Sequence, residues 1–295
     1  MATAAAALPR SLRAGTRRDL RRRAVDRLAL LLVVGASLVG ICLFGLILLY
    51  VVVRGAPALN LAFFTERPLP FGEVGGGVFP AIMGTLTMLA IASALALPLG
   101  LGTAIYLSEF GRGGFARLVR FVLDTLAGVP SIVIGVFVWA LLVRQVIGQY
   151  SGLAGAVALA IIMVPIVTRT VEEILRLVPD SLREASLALG VPRWRTILGV
   201  VLPTARAGVI TGVMLSLARA GGETAPLLLT ALGNQFFSTD LLAPMASLPV
   251  QIYSYAVSPY EDWHTKAWGS ALVLMAVVGC LSLVTRLATR GARMH

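Results

Sequence analysis

Lysine, histidine and cysteine are all scarce in this sequence of 295 residues. The only lysine is Lys266, which is followed by alanine, whereas a nucleotide-binding P-loop needs lysine followed by serine or threonine. The chain therefore carries no P-loop of its own. Two histidines, His264 and His295, are too few for a histidine metal centre, and Cys42 and Cys280 both lie in apolar runs. Neither a disulfide framework nor a thiolate metal site is expected.

Charged residues are also few: they make up 13% of the sequence, against roughly 25% in a typical soluble domain. Hydrophobic residues make up 58%, and the mean hydropathy is +0.88. Long uncharged runs of this kind cannot all be buried in one soluble core. The formal net charge is +11, but the arginines cluster at the ends of apolar runs, as in membrane proteins. We expect an all-α polytopic membrane protein with no nucleic-acid partner.

Residues 1–27 are rich in alanine and arginine. The arginines are Arg10, Arg13, Arg17, Arg18, Arg21, Arg22, Arg23 and Arg27. We interpret this stretch as a basic cytoplasmic N-terminal arm that orients the chain in the membrane. The alternative is an arm that touches anionic lipid or nucleic acid. Asp19 and Asp26 count against a mitochondrial transit peptide, because such peptides contain few acidic residues.

Six apolar segments are predicted to cross the membrane: 28–53, 79–107, 121–143, 153–171, 207–229 and 267–285. The first has no charged residue, exceeds the length of about 20 residues that spans the hydrocarbon, and lacks a signal-peptide cleavage site. We therefore divide the chain into four regions: the arm (1–27), the first helix with an outer loop (28–78), a core of five helices (79–288) and a cytoplasmic tail (289–295).

The distribution of basic residues predicts the topology. Of the 25 lysines and arginines, 20 lie in the arm, after the last predicted span (286–295) or in two segments predicted to be inside, 109–120 and 169–206, and four lie in outer loops. This asymmetry places both termini in the cytoplasm. The last outer loop, 233–266, supplies four aromatic residues expected at the membrane interface, where such side chains are enriched: Tyr253, Tyr255, Tyr260 and Trp263.

Arg219 and Glu223 are charged residues inside the predicted fifth span. An arginine at the centre of a span costs about 2.5–3.5 kcal/mol on insertion scales, which makes it a candidate for function. The two residues are four apart, so they share a helix face and can pair. The planar guanidinium matches phosphate-like oxygens, and Glu223 would hold it while the site is empty. The alternative is an ion pair that only neutralises itself.

The segment 172–206 is the most polar long stretch between two apolar ones. Asp180 is expected to cap a short helix. Gly190 is expected to end that helix, and Pro192 prevents its simple continuation. The predicted result is a helix–turn–helix elbow that projects into the cytoplasm and offers a rigid surface to a partner. An ordinary cytoplasmic loop with an amphipathic helix is the alternative.

The stretch EASLALGVPRWRTILGVVLP (184–203) resembles the cytoplasmic coupling loop of ABC importer permeases, whose pattern is E-A-A-x3-G-x9-I-x-L-P. Ser186 stands in place of the second alanine and Val200 in place of the isoleucine, while the spacing is kept. These departures affect only the fine geometry of coupling.

The stretch ARAGGETAPLLLTA (218–231) resembles the signature of phosphate-importer permeases. Three further stretches are similar to the same family, in its order: GGGVFPAIMGTL (75–86), GVPSIVIGVF (128–137) and PMASLPVQIY (244–253). The residues of the stretches 218–231 and 244–253 resemble the PstA type more than its PstC-type partner. Gly222 is a departure, because isoleucine or leucine is expected there. The resemblance covers nearly the whole chain.

The resemblance implies a type I ABC importer permease with six transmembrane helices in the bacterial plasma (cell inner) membrane. It implies pairing with a PstC-type permease, docking of two ATPase subunits that use ATP and Mg, and delivery of inorganic phosphate by an extracytoplasmic binding protein. The chain itself would be no enzyme and would bind no cofactor. Residues implied to line the phosphate pathway are Arg219, Glu223, Thr224 and Arg169. Residues implied to couple the ATPases are Glu184, Ala185, Gly190 and Pro203.

Other functions remain open at this point. Within the same class, the substrate could be another oxyanion, such as sulfate, molybdate or phosphonate, because an arginine does not distinguish tetrahedral anions, and the chain could be the PstC-type subunit. An intramembrane enzyme would need a nucleophile–base pair or a metal cluster, and no histidine lies in any predicted span. A secondary transporter would usually show internal repeats and more spans.

Overall fold

A computed structural model describes residues 17–70, 73 and 75–290, and most of these residues are helical. The helices are α1 (Arg17–Gly55), α2 (Leu61–Thr65), α3 (Phe79–Ile105), α4 (Gly114–Gly128), α5 (Ser131–Val138), α6 (Gly152–Arg176), α7 (Asp180–Ala188), α8 (Arg193–Thr196), α9 (Leu202–Gly221), α10 (Ala225–Thr230), α11 (Leu248–Ala256) and α12 (Glu261–Arg290). Short 3₁₀ or π-helical turns extend several of them. Within the described residues, the only β-pairing is an isolated bridge between Pro68 and Gly76. The all-α prediction is confirmed.

The chain divides into two compact units, residues 1–51 and 52–295. The described part of the first unit is α1, which begins at Arg17 and therefore joins part of the predicted arm to the first span in one helix. Arg10 and Arg13 of the arm, and residues 291–295 of the tail, lie outside the described residues.

Four helical stretches in the described part of the chain are long and apolar enough to cross a membrane: Arg21–Ala58, Phe79–Phe110, Gly152–Arg176 and Arg193–Gly221. The bent pair Gly114–Gly128 and Ser131–Ile147 makes a fifth if it counts as one span. Helix α12 lies where the sixth span is predicted. The observed helices are thus compatible with six spans, although the count is not exact.

The second unit is built around α3 and α6, whose facing surfaces carry small side chains. Ala92 and Ala96 of α3 are buried in one cluster with Ala160 of α6. Small residues let helix backbones approach closely, which favours packing where lipid removes the usual hydrophobic driving force. The approach is close enough for the Thr168 hydroxyl to donate to the Gly100 carbonyl at 3.3 Å. Helices α9, α10 and α11 pack around this pair.

The third predicted span is two helices rather than one. Helices α4 and α5 are separated by Val129 and Pro130, and their axes differ by 102°. Proline disfavours helical geometry in the residue before it, and Val129 is extended, with φ −71° and ψ 129°. Helix α5 then packs tightly on α10: a Cβ atom at Gly135 would lie 2.7 Å from the Pro226 Cα. This close packing holds the direction of the bend.

The limits predicted for the fifth span, 207–229, are wrong. The helix starts at Arg193, inside the predicted cytoplasmic segment, and continues through a π-helical turn and α9 to Gly221. Pro203 lies in the first turn of α9, immediately after the π-helical turn Ile197–Val201. The wider turn accommodates a proline, which has no N–H to donate to the preceding turn.

Two of the four aromatic residues predicted at the membrane interface are buried instead. Tyr255 and Trp263 pack with ring centroids 4.4 Å apart, in a hydrophobic cluster that also contains Phe63 of α2. Tyr253 and Tyr260 are exposed. The prediction is wrong for the buried pair because position in a loop does not reveal whether that loop folds onto the core.

Candidate functional site

A cavity of about 290 Å³ lies between the α4–α5 bend, α6 and α9. Its lining residues are Leu126, Ala127, Val129, Ser131, Ile134, Ile162, Pro165, Ile166, Leu215 and Arg219. The break at Val129 gives this wall its concave form, because α4 ends and α5 starts there. Within this lining, Arg219 supplies the charge and Ser131 a hydroxyl group, and the other side chains are apolar. The cavity therefore offers a cationic group in an apolar setting.

Arg219 and Glu223 form the predicted ion pair, with Arg219 Nε 3.6 Å from Glu223 Oε1. Glu223 lies beyond the end of α9, but the turn continues because the amides of Gly222 and Glu223 donate to the carbonyls of Arg219 and Ala220. At 3.6 Å the contact is an ion pair and not a hydrogen bond. The Arg219 side chain is 60% exposed and that of Glu223 15%. The guanidinium therefore presents N–H donors to the cavity.

Thr224 and Arg169, the other residues predicted for the pathway, do not line this cavity. Thr224 lies between α9 and α10, where its carbonyl accepts a hydrogen bond from the Leu228 amide at 3.0 Å. Arg169 donates to Asp124 Oδ1 at 2.8 Å and to Glu172 Oε2 at 3.3 Å. The structure thus places Arg219 at the cavity, pairs it with Glu223, which is not among the lining residues, and leaves Arg169 in a separate set of ion pairs.

Glu172 of α6 is a buried carboxylate surrounded by three arginines. Its Oε1 accepts from Arg120 Nε at 2.8 Å and from Arg176 at 2.6 Å, and its Oε2 accepts from Arg169. The Glu172 side chain is only 2% exposed. Removing a carboxylate from water is costly, and the cationic donors offset that cost. Arg120 also donates to the Leu107 carbonyl at 2.8 Å, which connects α4 and α6 to the end of α3.

The segment from α7 to α8 forms the predicted elbow. Helix α7 ends at Ala188, and Gly190 follows in the left-handed conformation, with φ +76°, which glycine adopts without strain. The hydroxyl groups of Ser186 and Thr196 are 2.9 Å apart and buried, so a hydrogen bond joins the two arms of the elbow. Alanine at the position of Ser186 would lack this bond.

The predicted Asp180 cap is wrong. Asp180 is the first residue of α7, and Pro179 occupies the cap position without a side-chain hydrogen bond. The Asp180 carboxylate pairs instead with Arg183, at 3.2 Å. A proline just before a helix fixes φ in the range the first turn needs, which reduces the requirement for a side-chain cap.

The exposed surface of the elbow combines charge with apolar groups. Glu184, Ala185 and Gly190 are all exposed. Beside them, Leu189 is 84% exposed and Trp194 57%. Exposed apolar side chains next to a carboxylate are typical of a surface that contacts another protein.

An ion pair joins the elbow to the end of α3. Arg183 donates to Glu109 Oε1 at 2.8 Å and to the Leu175 carbonyl at 2.9 Å. The guanidinium of Arg193 lies 4.7 Å from the centre of the Phe110 ring, close enough for a cation–π contact. These contacts connect α7 and α8 to the helical turn that follows α3.

The sequence alone does not identify Glu109, Arg120, Asp124, Glu172 and Arg183 as a connected group. Their bonds join residues 45, 52 and 74 positions apart, which no local spacing can reveal. Charge along the sequence gives no signal for Glu172, because a second acid, Glu173, follows it and acidic residues contribute little to the positive-inside pattern.

Three comparisons with known proteins agree with this architecture. The family model described as the binding-protein-dependent transport system inner membrane component matches residues 96–291. The phosphate transport system permease protein PstA of Yersinia pestis is 44% identical over 266 residues, which cover 90% of this chain and 90% of that protein. The PstA protein of Pasteurella multocida is 44% identical over 242 residues, which cover 82% and 86%.

Among solved structures, an inward-facing conformation of the MetNI methionine ABC transporter matches with a TM-score of 0.59. The match covers 73% of this chain and 94% of that chain at 20% sequence identity, so it establishes a shared fold. The fold is therefore that of the type I ABC importer permeases. Because identity above 40% extends over most of both chains, this chain belongs to the family of binding-protein-dependent inner membrane transport components and, within it, to the PstA phosphate permeases.

Proposed function

We propose that this chain is a transmembrane permease subunit of an ATP-driven, high-affinity importer of inorganic phosphate and forms half of its translocation pathway. The observation that carries the proposal is Arg219 at a mainly apolar cavity between the α4–α5 bend, α6 and α9. A planar, permanently charged fork of donors suits a tetrahedral oxyanion. The names of the Yersinia and Pasteurella relatives support phosphate as that oxyanion.

Each pathway residue has a distinct role in this proposal. Arg219 binds the phosphate oxygens, and Glu223 holds the guanidinium in place while the cavity is empty. We assign Glu223 to positioning and not to direct binding, because its charge opposes that of the anion. Thr224 lies in the non-helical junction between α9 and α10, where the backbone can change direction. Arg169, one turn along α6 from Pro165 and Ile166 of the cavity lining, is the next cation on the route to the cytoplasm.

The proposed complex contains a PstC-type permease, two ATPase subunits and an extracytoplasmic binding protein, in a bacterial inner membrane. ATP and Mg are used by the ATPase subunits, and this chain has no catalytic role. The elbow supports ATPase docking through Glu184, Ala185 and Gly190, and Pro203 lies in the first turn of α9, which leads from the elbow to Arg219. The excess of basic residues in the predicted inner segments supports cytoplasmic termini.

The test of the proposed function is uptake of radiolabelled phosphate, with sulfate uptake in parallel, in cells that lack this chain and their other phosphate transporters. We expect high-affinity phosphate uptake to be lost and sulfate uptake to be unchanged. Restoring the chain from a plasmid is expected to restore phosphate uptake. Intact phosphate uptake with a sulfate defect would move the substrate to another oxyanion and overturn the proposal.

We expect Glu184→Lys to uncouple ATP hydrolysis from transport, because it reverses the charge of an exposed side chain on the elbow. The measurement is ATPase stimulation by the loaded binding protein, together with phosphate uptake, in proteoliposomes containing the whole complex. Glu261→Lys is a matched control, because Glu261 is an exposed acid at the start of α12, in the predicted outer loop. Normal stimulation and uptake in the Glu184→Lys complex would reject the coupling role.

A further inference from the structure

Two oppositely oriented ion pairs join α4 to α6. In the first, Arg120 of α4 donates to Glu172 of α6 at 2.8 Å. In the second, Arg169 of α6 donates to Asp124 of α4 at 2.8 Å through its Nε, with a further contact through a terminal nitrogen. Residues 120 and 124 are one turn apart on α4, as 169 and 172 are on α6, so the pairs lie side by side.

The Asp124–Arg169 pair lies at one end of the Arg219 cavity. On α4, Asp124 comes one turn before Ala127, which lines the cavity. On α6, Arg169 comes one turn after Pro165 and Ile166, which line it as well. Both helices thus pass directly from cavity wall to ion pair. An anion that moves from the cavity along α6 towards the elbow meets this pair first.

The two pairs differ in how easily they can exchange partners. Glu172 is almost fully buried and is bonded at 2.8 and 2.6 Å by Arg120 and Arg176, so it is strongly held. Asp124 is 57% exposed and Arg169 30%, and the contact of Arg169 with Glu172 is longer, at 3.3 Å. Of the two carboxylates, Asp124 is therefore the one that an incoming anion displaces more readily.

The charges favour such a replacement. Three guanidinium groups, of Arg120, Arg169 and Arg176, face two carboxylates, of Glu172 and Asp124. When the Asp124 carboxylate moves away, Arg169 presents a planar fork of donors to the end of the cavity. A tetrahedral oxyanion provides the same acceptor geometry as the carboxylate that it displaces.

We propose that Asp124 is an internal counter-ion that occupies Arg169 until an oxyanion arrives from the Arg219 cavity and displaces it. Arg169 is then a second anion-binding position, and Asp124 drives release by competing for Arg169 again. The inference rests on the proposed function, since it takes Arg219 as the first position. It assigns to Asp124 a role in the passage of phosphate that the first position alone does not require.

The test is equilibrium binding of radiolabelled inorganic phosphate to the whole permease–ATPase complex in lipid nanodiscs, without ATP and without binding protein. We expect Asp124→Asn to bind phosphate about threefold more tightly, because an exposed carboxylate competitor is lost. The gain is expected to vanish in the double variant Asp124→Asn/Arg169→Gln. Glu173→Gln is the matched control, because Glu173 is an exposed acid on the next turn of α6. If the loss of any nearby negative charge were enough to tighten phosphate binding, Asp124→Asn and Glu173→Gln would both show it.

Transport separates this role from a structural one. In proteoliposomes, Asp124→Asn is expected to lower the maximal uptake rate while phosphate binding tightens, because release loses its competitor. A merely structural ion pair would lower uptake in Asp124→Asn without tightening phosphate binding, whereas we expect the two changes together. Binding in Asp124→Asn no tighter than in Glu173→Gln would overturn the proposal. If Arg219→Ala nevertheless loses phosphate binding in the same assay, the assignment of Arg219 as the first binding position still stands. The proposal for Asp124 and the proposed function can therefore fail separately.

Discussion

Replacing Arg219 with alanine is expected to abolish phosphate uptake while the complex still assembles. Arg219 supplies the positive charge of the cavity lining, and no other lining side chain can take over the binding of an anion. Its side chain is 60% exposed, so its loss removes little packing. The measurement is radiolabelled phosphate uptake in cells that carry the variant, with assembly followed by co-purification of the partner subunits.

Arg219→Lys keeps the charge but loses the planar fork, so we expect uptake to fall by about tenfold, equivalent to about 1.4 kcal/mol. Arg144→Ala is a suitable control, because Arg144 is exposed and lies over the Trp139 ring at 5.6 Å, at the end of the helix that follows α5. Normal uptake in the Arg219→Ala cells would remove Arg219 from the pathway.

Replacing Glu172 with alanine is expected to destabilise the chain by about 3 kcal/mol or more, the typical effect of removing one partner from a buried ion pair. The variant leaves Arg120, Arg169 and Arg176 facing one another without the carboxylate that all three contact. It also weakens the connection of α4 to α6. The measurement is the denaturation midpoint of the purified complex in detergent.

Glu173→Ala provides the control for the Glu172 experiment, since it removes an exposed carboxylate from the neighbouring position. We expect the change in its free energy of unfolding to stay within the range of ordinary surface substitutions, about 0.5 kcal/mol. Glu172→Gln, which keeps an acceptor oxygen but loses the charge, is expected to lie between the two. Equal midpoints for Glu172→Ala and Glu173→Ala would show that the arginines are accommodated without the carboxylate.

Much of the fold follows from the distribution of charge along the sequence. The apolar segments 79–107 and 153–171, which contain only one charged residue, Arg169, predict α3 and α6 within a few residues, because a helix is the simplest way to satisfy backbone groups in lipid. The break near Pro130 is also visible in the sequence. Its angle of 102° is not, because packing of Gly135 on Pro226 holds it, and those residues are far apart in the chain.

The site was only partly predictable for the same reason. Arg219 and Glu223 are four residues apart, so their pairing could be derived from sequence spacing, although Glu223 lies past the helix end. Asp124 and Arg169 are 45 residues apart, and their contact depends on how α4 bends back against α6. For Tyr255 and Trp263 the sequence predicts too much exposure, because both lie in a predicted outer loop whereas the fold buries both rings.

The uninterrupted helical run from Arg193 to Gly221 acts as a lever arm. It begins at the elbow and carries Arg219 near its other end, about 39 Å away at 1.5 Å per residue. A tilt of about 5° at the elbow would displace the guanidinium by about 3.4 Å, more than the length of a hydrogen bond. In the proposed complex, a rotation that small at the ATPase contact would be enough to break the contacts of Arg219 with a bound anion.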